Sequence, residues 1–77
     1  MITKDEFIQH FAEQFEKTDA SAFTSDTHFR DLEEWSSLTG LSVITMVDDE
    51  CNVVLRGDAM KRAETIGELY EVVKSLS

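Results

Sequence analysis

Three stretches of this chain repeat their apolar residues every three or four positions, the period of one face of an α-helix, and alternating strand patterns are scarce. Phe7, Ile8, Phe11, Ala12 and Phe15 form the first stretch, Leu41, Val43, Ile44, Val47 and Cys51 the second, and Ile66, Leu69, Val72, Val73 and Leu76 the third, with Tyr70 at its border. Proline is absent and glycine occurs three times, so little interrupts these periods. Thr3 with Glu6, and Thr65 with Glu68, have the spacing of capping boxes, and Ile2 with Phe7 that of a hydrophobic staple. The first helix is expected from about Thr3, fading near Lys17. The second runs from about Ser37 to Cys51. After the connector "NVVLR", Gly57 and Asp58 introduce a short helix through Met60 and Ala63, and the last helix follows Thr65. Residues 18–35 show no period and are rich in Asp, Ser and Thr, which compete with helical hydrogen bonds. A loop this long needs anchors, and Phe23, Phe29, Leu32 and Trp35 supply them, with a helical turn around Phe29–Glu33. The expected fold is all-α: a small antiparallel bundle of three main helices plus a short helix, with a long first loop, in a single domain over residues 1–77.

Charge and length narrow the functions open to such a fold. With 7 basic and 16 acidic residues the net charge is −9, which argues against nucleic acid as a partner, since that needs cations to displace counterions from phosphates. It favours attraction to basic partners. A chain of 77 residues buries only about 60–65% of its unfolded surface, leaving no room for a deep, walled active site. The sole cysteine, Cys51, excludes an internal disulfide and lies on the apolar stripe of the second helix, where a buried, inert thiol is expected. The N-terminal "MITKDEFIQHF" lacks the features of a signal peptide, and no apolar run approaches a membrane span. A cytoplasmic monomer is expected.

Few residues offer chemistry. His10 on the first helix and His28 in the loop have no triad context. Asp26 and His28 supply two donors where structural zinc takes four. Asp48, Asp49 and Glu50 read as a solvated acidic face. Gly40, Gly57 and Gly67 are isolated and make no phosphate loop. Ser36 and Ser37 remain, in "EEWSSLTGLSVITMV". One serine suffices to cap the second helix. The other is then available at a helix N-terminus, an environment that suits a phosphodiester. Leu38 falls with Ser42, Thr45 and Asp49 on the outer face of that helix, with Met46 beside them.

Taken together, Ser36-Ser37-Leu38 opening the second helix, "FRDLEEW" before it, "TGLSVITMVDDECNV" after it and the tail "LRGDAMKRAETIGELYEVVKSL" resemble the acyl carrier proteins, over nearly the full length. The family's element order is a first helix, a long loop, an Asp-Ser-Leu motif opening the second helix, a short third helix and a closing fourth. The Trp-x-Ser-Leu junction looks closer to specialised free-standing carriers than to the housekeeping fatty-acid carrier. The resemblance implies that a phosphopantetheinyl transferase, supplying magnesium and the activating base, moves 4′-phosphopantetheine from coenzyme A onto Ser37. The arm's thiol then holds an acyl group as a thioester for acyl-loading and acyl-processing enzymes of fatty-acid, polyketide or related biosynthesis. The chain itself is then a substrate and shuttle rather than an enzyme. The resemblance also makes Leu38, Met46, Asp48, Asp49 and Glu50 partner-binding residues, while Glu33 and Glu34 add charge before the motif.

The chain departs from the family at defined positions. Ser36 stands where the motif has aspartate, Thr39 and Ser42 occupy positions often acidic, and a docking methionine falls at Thr45 with Met46 adjacent. These departures imply a dedicated transferase, or the alternative of an unmodified carrier-like protein–protein interaction module. A small hydrolase using Ser37 is a third reading, for which the sequence offers neither base nor oxyanion site.

Overall fold

Two helices begin on the capping boxes written in the sequence. In the computed structural model, which describes residues 1–77, Thr3 accepts from the N–H of Glu6 while the Glu6 carboxylate accepts from the N–H of Thr3, and α1 follows over Lys4–Ala12. Thr65 and Glu68 make the same reciprocal pair before Ile66–Leu76. Between them lie a helix over Ser37–Cys51 and one helical turn over Gly57–Met60, so these last three helices are α2 (Ser37–Cys51), α3 (Gly57–Met60) and α4 (Ile66–Leu76). The protein is thus all-α, with two 3-10 turns, Ala20–Ala22 and Phe29–Asp31, inside the long first loop. The second of these falls where a turn was expected; the first had no signal in the apolar spacing. No helix is long and apolar enough to cross a membrane.

The core is one cluster of 17 buried residues. Phe7 and Phe11 of α1, Val43 and Val47 of α2, and Ile66, Leu69 and Val73 of α4 are completely buried. Full burial of each stabilises by about 1.5–3 kcal/mol relative to exposure. Phe11 is the hub of an aromatic group, with ring centroids 5.5 Å from Phe15, 5.6 Å from Phe29, 6.1 Å from Phe23 and 6.4 Å from Trp35. Phe23 and Phe29 are buried and Leu32 and Trp35 half-buried, so all four expected anchors hold the loop against the core. A seam of hydrogen bonds fixes the same loop to α4: Ile66 N–H donates to the Thr27 carbonyl (3.1 Å) and Gly67 N–H to the Ser25 carbonyl (2.9 Å). A side chain at Gly67 has no room there, because its Cβ would lie 2.9 Å from the Ser25 oxygen.

Four expectations need correction. The first helix ends at Ala12 rather than near Lys17. Gln14 and Phe15 donate to the Phe11 and Ala12 carbonyls, three residues back, and this tightening carries Phe15 inward to pack at a tilt against Phe23, 4.9 Å between centroids. Leu41, expected in the core, is 60% exposed, and Met46, expected on the outer face, is only 5% exposed. At about 100° per residue, Gly40, Val43, Val47 and Cys51 define the buried axis of α2, and Leu41 and Met46 fall well off it on opposite sides. Met46 joins the buried core cluster, whereas Leu41 stays outside it. Leu76, expected inward, is 47% exposed because it is the last residue of α4.

α2 stops at Asn52, whose φ of 58° is left-handed and which donates to the Asp48 carbonyl. The extended connector then alternates: Val53 and Leu55 are buried and Val54 is 74% exposed.

Candidate functional site

The start of α2 is built by the end of the long loop. Ser36 is extended (φ −154°, ψ 177°) and its Oγ accepts from the N–H of Thr39 at 3.3 Å, which makes it the cap. The Thr39 hydroxyl donates to the Glu34 carbonyl at 2.8 Å, tying the first turn back to the segment before it. The Glu34 carboxylate reaches 16–18 residues back, accepting from Thr18 Oγ1 (2.6 Å), Lys17 N–H (2.8 Å) and Glu16 N–H (3.1 Å). These bonds, that from Thr18 foremost, hold its pKa below the usual carboxylate range. Glu34, expected only to add charge before the motif, thus joins the exit of α1 to the entry of α2. No sequence spacing announces a bond over that separation.

Ser37 is the first residue of α2 and is exposed. Its hydroxyl bonds to no protein group, whereas that of Ser36 is engaged with Thr39. Ser37 and Leu38 also keep backbone N–H groups with no protein acceptor, the usual condition of a first turn. Leu38 is 76% exposed and Leu41 60% exposed, so two large apolar side chains stand one turn apart beside Ser37. Of these only Leu38 was expected outside.

Two grooves flank this edge of α2. One, about 410 Å³, runs between α1 and α2 and is acidic: Glu13, Asp49 and Glu50 line it with His10, Leu38 and Met46. His10 Nδ1 lies 3.2 Å from Glu13 and its Nε2 3.6 Å from Glu50, so His10 bridges the two helices. Met46 lines the groove with almost no free surface, whereas Asp48, Asp49 and Glu50 are exposed. The other groove, about 590 Å³, lies between α2 and α3. Trp35, Leu41, Ile44 and Met60 make its apolar surface, Ser37 stands in its lining, and Arg30 and Lys61 are its cations. Sequence reasoning singled out neither cation, since they lie 31 residues apart in the chain and meet only across the loop.

The other reactive groups lie apart from Ser37. Burial, and secondarily the Glu50 charge, push the Cys51 thiol above its ordinary pKa, and its side chain belongs to the core. His28 pairs through its backbone with Thr65. No three His, Cys, Asp or Glu side chains converge as metal ligands, around Asp26 and His28 or elsewhere. The chain matches no protein-family model, no curated protein and no solved structure.

Proposed function

We propose that this protein is an acyl carrier, working as a cytoplasmic monomer and bearing 4′-phosphopantetheine on Ser37. The carrying observation is the division of labour in the serine pair: Ser36 Oγ is occupied as the helix cap, and the Ser37 hydroxyl is exposed and unengaged one residue later. Support comes from the element order, a long anchored loop followed by a serine-opened α2, a one-turn α3 and a closing α4, which is the order of the carriers the sequence resembles. In this reading the helices pack as the carriers' antiparallel bundle.

The residues present fit the group. Attachment needs an accessible hydroxyl, and Ser37 supplies one with two free backbone N–H groups beside it to meet the phosphodiester. In the attachment step Ser37 Oγ attacks the phosphorus that bears the pantetheine in coenzyme A. The new O–P bond forms as the phosphoanhydride bond breaks, adenosine 3′,5′-bisphosphate leaves, and the serine proton passes to a base of the transferase. Ser37 would hold the arm, which when bound would supply a thiol for carrying an acyl group as a thioester. Leu38 and Leu41 give processing enzymes an apolar contact, and Asp48, Asp49 and Glu50 attract a basic surface to the far end of α2. Met46 contributes through the shape of the groove wall.

A second reading has one observation in its favour: α2 has no acidic residue in its first turn, and Ser36 stands before it where the carriers have aspartate. In that reading the protein is an unmodified interaction module. Coexpression with phosphopantetheinyl transferases of different specificity, followed by intact-mass measurement, separates the two. The carrier reading expects one added phosphopantetheine, lost in Ser37→Ala and kept in Ser36→Ala. An unchanged mass with every transferase, together with a stoichiometric partner recovered by the unmodified protein, favours the module.

A further inference from the structure

We infer that the groove between α2 and α3 receives the outer end of an acyl cargo that carries its own negative charge: a chain with an apolar stem and a terminal carboxylate. The inference rests on the carrier reading and adds the cargo class to it.

The groove opens beside Ser37, and its wall is apolar through Trp35, Leu41, Ile44 and Met60. A wall of that kind favours methylene groups, about 0.8 kcal/mol for each one buried. The net charge of −9 makes cations scarce, 7 against 16 acids, yet two of the 7, Arg30 and Lys61, line this one groove, and no acidic residue does. The groove on the other side of α2 has the opposite character, with Glu13, Asp49 and Glu50 in its lining. Arg30 is also held in position. Its Nη1 donates to the Met60 carbonyl at 3.3 Å, and its guanidinium carbon lies 5.2 Å from the Phe29 ring centroid. A guanidinium has five N–H donors, so most of its donors are left for an anion. Neither Arg30 nor Lys61 has a carboxylate partner within the protein, since the only ion pairs involve Lys4 and His10. An apolar floor with two unpaired cations complements a carboxylate-ended acyl chain better than a neutral one of equal length.

The test loads Ser37 from adipoyl-, hexanoyl- or unacylated coenzyme A with a broad-specificity transferase, and intact mass verifies each product. Trp35 is the chain's single tryptophan and lies in the groove wall, so acrylamide quenching of its emission reports whether the groove is covered. Docking of the adipoyl load is expected to exceed that of the hexanoyl load about three- to ten-fold, the range of two partly exposed charge pairs. The ratio should fall to about one in the Arg30→Gln/Lys61→Gln double variant and shrink in high salt. Equal protection by both loads, or an unchanged ratio in the double variant, overturns the inference. So does full protection by the unloaded arm, which would assign the cations to the arm's phosphodiester. If no transferase adds an arm, the carrier reading fails by mass alone. The groove's preference is then read in Ser37→Cys coupled by disulfide exchange to 6-mercaptohexanoate or hexanethiol, with mass showing one label and Cys51 unlabelled. A preference for the carboxylate tail, lost in the double variant, sustains the groove chemistry; no preference overturns it.

Discussion

At the start of α4 the first three backbone N–H groups all find acceptors: Ile66 on Thr27, Gly67 on Ser25 and Glu68 on the Thr65 hydroxyl. At the start of α2 the N–H groups of Ser37 and Leu38 have none, and only Thr39 meets the cap. Their charges differ in the same sense. α4 has Glu68 in its first turn and Lys74 in its last, complementing the helix dipole. α2 has no acid in its first turn and no base in its last, where Asp48, Asp49 and Glu50 oppose the dipole. α4 buries its large residues except at its final turn, while α2 leaves Leu38 and Leu41 in solvent. Every choice in α4 serves the fold, and several in α2 work against it. On the carrier reading, that contrast is what a helix facing partner enzymes requires.

The sharpest way to break the contrast is Ser37→Ala. It should abolish transferase-dependent mass gain while changing unfolding free energy by no more than about 0.5 kcal/mol. A large loss of stability would make Ser37 structural. Next in size, Leu69→Ala in α4 should cost about 2–5 kcal/mol in urea denaturation, since Leu69 is completely buried. Leu38→Ala in α2 should stay within about 0.5 kcal/mol while weakening capture by a processing enzyme. Equal losses at the two leucines would erase the distinction. Gly67→Ala presses a methyl group against the Ser25 carbonyl and should cost about 1–3 kcal/mol. Gly57→Ala meets no atom within 4 Å and should be neutral or stabilising by up to about 1 kcal/mol.

Acid titration probes the start of α4 directly. Hydrogen bonds from the backbone of Glu64 and Thr65 hold the Glu68 carboxyl below its ordinary pKa. A carboxyl lowered in the folded state stabilises above its unfolded pKa, and that contribution is lost as pH falls through the folded value. Stability of the wild type should therefore decline below about pH 4.5 more steeply than that of Glu68→Gln. The smallest effect belongs to the far end of α2. Asp49→Lys should raise the melting temperature slightly, a gain of a few tenths of a kcal/mol from the relieved dipole, while reducing affinity for a basic partner. A decrease in melting temperature would show that Asp49 serves the fold after all.

The features legible in the sequence are those set by neighbours a few residues apart. Both capping boxes, the Ser36 cap and the buried faces of Phe7, Phe11, Val43, Val47 and Leu69 follow from local spacing. The errors come from contacts across the chain. Ending α1 at Ala12 depends on Phe15 meeting Phe23 and on Glu34 receiving the exit of the helix. Exchanging Leu41 for Met46 depends on which side of α2 the rest of the core covers, and a helical wheel does not carry that information. Ser37 and Leu38 were legible because the end of a helix shows in sequence. The groove with Arg30 and Lys61 was not, because the loop and α3 must both be in position before it exists.

A contact between the last helix and the N-terminal segment closes the molecule. Tyr70 sets its ring edge against Phe7, 5.4 Å between centroids, and its hydroxyl donates to the Ile2 carbonyl at 2.8 Å, across 68 residues of sequence. A helical protein that packs its first helix on its last must close nearly the whole chain into a loop before either is secure. Its folding should be slower than that of bundles joined by neighbouring hairpins, where most contacts are local. Until that closure Phe7 lacks its Tyr70 partner, whereas Phe11 can already meet the aromatic residues of the neighbouring loop.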